Sequence, residues 1–363
     1  MIHLPTSIGE AVDKLTILDI KCKRISDPER LVFCKQEYDL LYSKLENIIS
    51  NFQFQYEKLY EVNDSIWTMQ DEIRVMEVPS GEKCIEIINM NDIRFRIKDS
   101  INKLSNSQIR ETKGYPKRIA LFLGHTGLGD HIGLIGAVRY LSLQYDEFHI
   151  PCLPENLNTL NYFYLDNPNI KLFVPSSFKK GYRYTVVPSD TVQGEYMDIP
   201  DGVYTDIFRS GFFKIPHNSM DDLPSCFYRD LGVDPSIRHS YFHLPKSSDS
   251  IWLHSLLKTM PYIFVQTKSS EKTTSIISWD INKILTIDPN INQYDPDHKW
   301  YDLANKFVNQ PFLHYVDTIK HASEIHTVDS SFYCLSCYLK TDAKVKLCYD
   351  RDSGEVNKRY DFS

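Results

Sequence analysis

The sequence predicts an all-α region followed by two doubly wound α/β units. Three observations carry that expectation. Residues 1–112 place apolar side chains three and four apart, the period of a helix with one buried face. From Arg118 onward the texture changes to short apolar runs alternating with helical stretches, the mark of parallel strands joined by crossovers. Two of those strands, near residues 119–123 and 325–328, run into turns rich in Gly or Ser and then into a helix. The expected units are a helical bundle over 1–112, a first α/β unit over 115–247 and a second over 248–363, the two sheets facing a cleft.

In the helical region, Ser7 and Glu10 fit a capping box, and Ile8, Val12, Leu15, Leu18 and Cys22 line one face of the helix that follows. Asp27-Pro28 supplies a cap and a proline for the first turn of a second helix. Asp64 is expected to begin a third, and Pro79-Ser80-Gly81 separates it from a fourth over 82–104. The charged residues Asp71, Arg74, Asn91, Asp92, Arg94, Arg96 and Lys98 read mainly as ion pairs along helix faces. Residues 105–117 are polar, end in Gly114 and Pro116, and read as a linker. In the first α/β unit, strands are expected at 119–123, 148–153, 170–174 and 184–187, with helices from Asp130, over 155–165 and over 223–231, and an extended segment at 233–245. In the second, strands are expected at 262–266, 284–287, 312–316, 325–328 and 345–349, with helices at 301–307 and 330–339.

Composition narrows the function classes. The 363 residues carry a net charge of −7, which argues against a broad nucleic-acid footprint. No apolar run reaches bilayer length, and the opening MIHLPTSIGEAVDKL lacks the basic and apolar regions of a secretory signal. The eight cysteines are scattered, as expected of reduced thiols in the cytoplasm. Cys334 and Cys337 form a CxxC inside an apolar helical pattern, with no second ligand pair of matching spacing, and read as core packing.

The segment RIALFLGHTGLGDHIGLIGAVRY carries the most chemistry. A buried strand feeds a helix through Gly124, Gly127 and Gly129, so unpaired helix N–H groups point at the turn. Asp130 at that helix start would repel a phosphate. The loop therefore suits an acceptor and a general base, with His125 and His131 on either side.

Three segments resemble the heptosyltransferase-like (family 9-like) glycosyltransferases of the GT-B fold. GLGDHIGLIGAVRYL resembles their opening loop and helix. FVQTKSSEKTTSIISW is similar to the first strand of their donor domain, and IKHASEIHTVDSSFYCLSCYL to the strand and helix that close the donor site. The resemblance covers roughly residues 115–350. Ser330-Ser331 stands where the family has Thr-Gly, and the His usual shortly afterwards is absent. SIGEAVDKLTILDIKCKRI, IWTMQDEIRVME and NDIRFRIKDSIN resemble a separate helical domain of unknown function.

The resemblance implies two Rossmann-like domains that move a sugar, hexosyl or heptosyl, from a nucleotide-sugar donor to a glycan or other hydroxyl acceptor, with inversion. It makes Asp130 the base, with His125 or His131 in its place or beside it, on an acceptor loop containing Gly127 and Gly129. It gives the donor diphosphate to Thr267, Lys268, Lys272, Ser330 and Ser331, with Asp329 orienting the loop. The chain has no HExxH, GxSxG, phosphate loop or convincing DxD pair, so neither a metal nor a cofactor is expected. A non-catalytic nucleotide- or glycan-binding scaffold and a nucleotide-sugar epimerase are the rival readings. The helical region offers a surface for homo-oligomers.

Overall fold

The computed structural model of the chain describes residues 5–78, 80–176, 197–211, 223–269, 272–276 and 279–357. Four helices come first: α1 (Ile8–Arg24), α2 (Pro28–Ile49), α3 (Gln53–Arg74) and α4 (Gly81–Leu104). Ser7 caps α1 by accepting from the Glu10 N–H, and Asp27 caps α2 by accepting from Glu29 and Arg30. Helix α3 begins at Gln53, well ahead of Asp64, because Phe54, Leu59 and Val62 extend its buried face toward the N-terminus. A buried polar network ties three helices together. The Asp13 carboxylate accepts from Arg94 at 2.8 and 2.5 Å and from Asn63 at 3.0 Å.

Among the described residues, the remainder holds two four-stranded parallel sheets. The first contains β1 (Ile119–Leu123), β2 (Glu147–Pro151), β3 (Ile170–Phe173) and β4 (Asp206–Arg209), in the order β3-β2-β1-β4. Its helices are α5 (Leu128–Ser142), α6 (Leu157–Phe163) and α7 (Leu223–Asp230). After α8 (Ser248–Ser255), the second contains β5 (Tyr262–Gln266), β6 (Leu285–Ile287), β7 (Glu324–Val328) and β8 (Val345–Tyr349), in the order β6-β5-β7-β8. Its helices are α9 (Tyr301–Asn305), α10 (Val316–Lys320) and α11 (Ser331–Tyr338). No described helix is long and apolar enough to cross a membrane.

Three expectations change. Residues 312–316 are a 3-10 turn entering α10 rather than a strand: Pro311 fixes the approach, and the run buries Leu313 and Tyr315 on one side. Residues 233–245 contain a 3-10 turn opened by Asp234 and Pro235 in place of an extended run. The fourth strand of the first sheet is β4, formed by four half-buried residues with charged ends and no apolar run. The strand expected at 184–187 lies outside the described residues.

The sheets share one core. Ala120 and Phe122 of β1, Phe264 of β5, Ile325 of β7 and side chains from α5, α6, α8, α10 and α11 belong to a single apolar cluster. The opposite faces carry smaller clusters, Leu121, Leu123 and Met197 on one sheet and Ile263, Val265 and Val328 on the other. Among the described residues, no helix joins the clusters on those faces.

The bundle seats on the first sheet unit through Arg139 of α5, which is fully buried. Its guanidinium donates to the Asp166 carboxylate at 2.6 Å and to the Phe163 carbonyl at 2.7 Å, and lies 4.8 Å from the Phe54 ring centre. Phe54 also stacks on His243 at 5.1 Å. Arg96 reaches Asp146 at 3.3 Å across the same boundary. Phe54→Ala should therefore destabilise the whole chain by about 3 kcal/mol, read as a lower urea midpoint. A midpoint unchanged from wild type would show that the bundle is held elsewhere.

Candidate active site at the junction of the two sheets

Strand order reverses between β1 and β4 and again between β5 and β7, and ligands of parallel sheets bind beyond the carboxyl ends of the strands at such points. At the first reversal, β1 runs through Gly124 to His125. The His125 Nε2 lies 3.1 Å from the Gly211 carbonyl, and its ring packs on Phe227 at 4.9 Å. Gly211 is required for this seat: its φ is +81°, and a Cβ there would lie 2.4 Å from the imidazole. The Gly211 N–H donates to Asp230 at 2.8 Å, which fixes the loop.

Helix α5 starts with Gly127 as its N-cap, and Asp130 is its third residue. A Cβ on Gly127 would lie 2.7 Å from the Asp130 carboxylate, so glycine lets that carboxylate fold back over the helix start. The His125 Nδ1 stands 3.9 Å from Asp130 Oδ2. Burial pushes the Asp130 carboxyl above the usual range; His125 opposes the shift, Asp329 adds to it and Arg351 opposes it. His131 is enclosed, and burial, reinforced by His125, pushes its imidazole down to about 4. Its Nε2 has no hydrogen-bond partner among the described residues.

At the second reversal, the Asp329 N–H donates to the Tyr349 carbonyl at 3.1 Å. The Asp329 carbonyl accepts from Arg351 Nε, and its carboxylate lies 3.7 Å from the same guanidinium. Ser330 is the N-cap of α11 in extended backbone, yet its hydroxyl donates to Gln266 at 2.7 Å rather than capping the helix. Ser331 opens α11. The Thr267 hydroxyl is buried and donates to Asp288 at 2.7 Å. Lys268 forms an isolated antiparallel bridge with Thr273, and Lys272 beside it pairs with Asp352.

The two helix starts meet. A Cβ on Gly129 would lie 3.1 Å from the Cys334 Sγ and 3.8 Å from the Ser331 Cα. Further along, the Tyr338 hydroxyl donates to the Gly133 carbonyl at 3.4 Å, and Phe242 stacks on Tyr338 at 4.9 Å. The junction thus gathers His125, Asp130, Asp329, Ser330, Ser331 and Arg351. Thr267 and Lys268 follow Gln266 at the end of β5, whose neighbour is β7. Cys334 packs against Gly129, and burial holds its thiol well above the ordinary value, which suits packing rather than redox chemistry. Among the described residues no group of three or more His, Cys, Asp or Glu could hold a metal ion. Shallow surface hollows lined by Lys58, Leu143 and neighbouring side chains lie between the bundle and α5, away from the junction. Strand order and charge, not hollow volume, single out the junction.

Sequence reasoning missed Arg351, Gln266 and Gly211. The only local signal for Arg351 is the turn after β8, where the Asp350 carboxylate accepts from the Asp352 and Ser353 N–H groups.

Residues 3–123 match a family of unknown function, DUF6165, a span that takes in all four bundle helices and β1. No curated protein matches the chain. Among solved structures, the chain is similar to the bacterial iron-containing dodecameric glycosyltransferase TibC from enterotoxigenic E. coli H10407. The two are 16% identical with a TM-score of 0.38, over 67% of this chain and 61% of that one. The chain thus spans less than two thirds of that relative.

Buried His131 and half-buried His243 set an acid limit on stability. The folded His131 stays neutral down to about 4, and so does His243, while an unfolded histidine protonates near 6.5. Between those values the unfolded chain binds the extra proton, so stability falls as pH drops from about 6.5 toward about 4 by roughly 1.4 kcal/mol per unit for each histidine. His131→Gln should remove one proton's worth of that slope in urea unfolding followed from about pH 4.5 to about pH 7.5, a range that covers most of the interval between about 4 and about 6.5. An unaltered slope would mean that His131 is protonated in the folded chain.

Proposed function

We propose that this chain is a glycosyltransferase that moves a sugar from a nucleotide-sugar donor to a hydroxyl acceptor with inversion. The observation that carries the reading is Asp130: a partly buried carboxylate, 3.9 Å from His125, at a strand reversal that abuts the second reversal and its Asp329–Arg351 pair. In this reading residues 115–247 form the acceptor lobe and residues 248–363 the donor lobe of a GT-B pair.

The Asp130 carboxylate takes the acceptor hydroxyl proton as the acceptor oxygen attacks the anomeric carbon. The bond from that carbon to the diphosphate oxygen breaks, and its electron pair leaves with the nucleoside diphosphate. Burial makes Asp130 a stronger base than a free carboxylate, and His125 keeps its ionised form within reach. The leaving charge falls to Lys268, Lys272 and Arg351 and to the N–H groups at the start of α11, aided by the hydroxyls of Thr267, Ser330 and Ser331. Lys272 and Arg351 already carry acidic partners, Asp352 and Asp329, so a diphosphate would share or displace them. Protein cations then do the work that a divalent ion does in metal-dependent transferases.

The test is incubation with UDP-, GDP- and ADP-sugars and a panel of glycan acceptors, with free nucleotide and product measured. Acceptor-dependent release of nucleotide is expected. Nucleotide binding without turnover across the panel would favour a scaffold, and a changed sugar without any acceptor would favour an epimerase. Asp130→Asn should lower transfer by at least roughly a hundredfold with donor affinity nearly unchanged; equal loss of both would assign Asp130 a structural part. The same variant should be more stable than wild type at pH 7 and indistinguishable from it in acid. The folded carboxyl is raised, so its ionisation costs stability as pH climbs through it. Lys272→Ala should weaken nucleotide binding, and an unchanged dissociation constant would remove Lys272 from the phosphate site.

A further inference from the structure

Helix α2 is long, at 22 residues, and of its side chains only Leu45 and Ile49 are buried. Leu31, Tyr38, Leu41 and Ile48 are half-buried on the inward side. A different stripe faces outward. Phe33 is 72% exposed and Leu40 50% exposed, with Val32 beside them at 51%. Phe33 and Leu40 are seven residues apart, two helical turns, and so lie on one line along the helix. Glu29, Gln36 and Lys44 complete that line at spacings of three and four, and all are exposed. Glu29 and Lys44 are in no ion pair among the described residues, whereas the neighbouring Glu37 turns toward α1 and pairs with Lys14 at 2.5 Å.

The stripe is complementary to its own reversal, apolar against apolar at the centre and acidic against basic at the ends. Turned end for end about the point between Gln36 and Glu37, it sets Phe33 against Leu40 of the partner subunit and Leu40 against the partner subunit's Phe33. It also sets Glu29 against Lys44 of the partner subunit, and Lys44 against the partner subunit's Glu29. A two-fold axis needs such a surface, because one patch must complement itself. Parallel pairing would instead oppose Glu to Glu and Lys to Lys, which is unfavourable. We propose that α2 is the seam of a homodimer in which two copies of this chain pack their α2 helices antiparallel, with Phe33 and Leu40 at the centre and two Glu29–Lys44 pairs at the ends.

Sedimentation velocity of the full chain tests this. From about 1 to about 100 µM, a range that brackets micromolar association, the chain should pass from monomer toward dimer. Phe33→Glu should weaken the dimer at least tenfold, since it places a charge in the apolar centre. Glu29→Lys alone and Lys44→Glu alone should each weaken it several-fold. The double variant Glu29→Lys/Lys44→Glu should return to within about twofold of wild type, because both end pairs re-form with reversed sign. All these positions are exposed in the free chain, so far-UV circular dichroism should not change. Three results would overturn the proposal: a chain that stays monomeric throughout, a dimer indifferent to Phe33→Glu, or a double swap no tighter than the weaker single variant.

Discussion

The contact between the first turns of α5 and α11 is the constraint on which the functional half of the molecule depends. Helix–helix approach is limited by side chains at the crossing, and here the crossing residue is Gly129, with Cys334 and Ser331 against it. A methyl group at Gly129 would already press on the Cys334 sulfur at 3.1 Å. Larger side chains would part the two helix starts and with them the two sheet edges. Because the helices touch, the residue after Gly129 loses water, and the carboxylates of Asp130 and Asp329 feel each other across the seam. Packing and electrostatics at this point are one feature: the approach that joins the sheets also raises the Asp130 carboxyl.

Such an approach has an electrostatic cost that the surroundings offset in part. The Asp329 carboxylate, close by in a partly dry space, disfavours ionisation of Asp130. The start of α5 contributes N–H groups that favour a negative charge at Asp130. His125 stands on one side, and Arg351 holds Asp329 on the other. Burial still outweighs these contributions, so the Asp130 carboxyl remains raised. That imbalance suits a base, because a carboxylate held fully in check by cations would be a poor proton acceptor.

Much of the scaffold was legible in the sequence because its signals are local. The apolar run 119–123, closed by the glycine-rich turn that starts at Gly124, reads as a buried strand, and β1 has those bounds. Ser7 and Asp27 cap the helices their spacing implies. Expectations failed where the local signal was ambiguous or short. Phe312 to Val316 is apolar and aromatic without a period, so strand and tight helix look alike, and only the packing of Leu313 and Tyr315 under the second sheet decides. Strand β4 has four residues, two of them charged, and exists because β1 offers a free edge beside it. The single shared core was also illegible, since it arises from α5 meeting α11 about two hundred residues later in the chain.

The site divides along the same line. His125 and Asp130 could be picked out because a glycine-rich turn between strand and helix is a contiguous pattern. The occupation of Thr267 and Lys272 could not, since their partners, Asp288 and Asp352, lie 21 and 80 residues further on. Arg351 shows the principle most clearly. Alone it is a charged residue in a polar turn, and it acquires meaning only because β8 pairs in parallel with β7 and so carries the following turn to the end of the strand that delivers Asp329. A parallel sheet aligns the carboxyl ends of strands that are distant in sequence. The residues that follow those ends therefore converge whatever their separation, and the cation that pairs with Asp329 beside Asp130 came from the tail of the domain rather than from any motif.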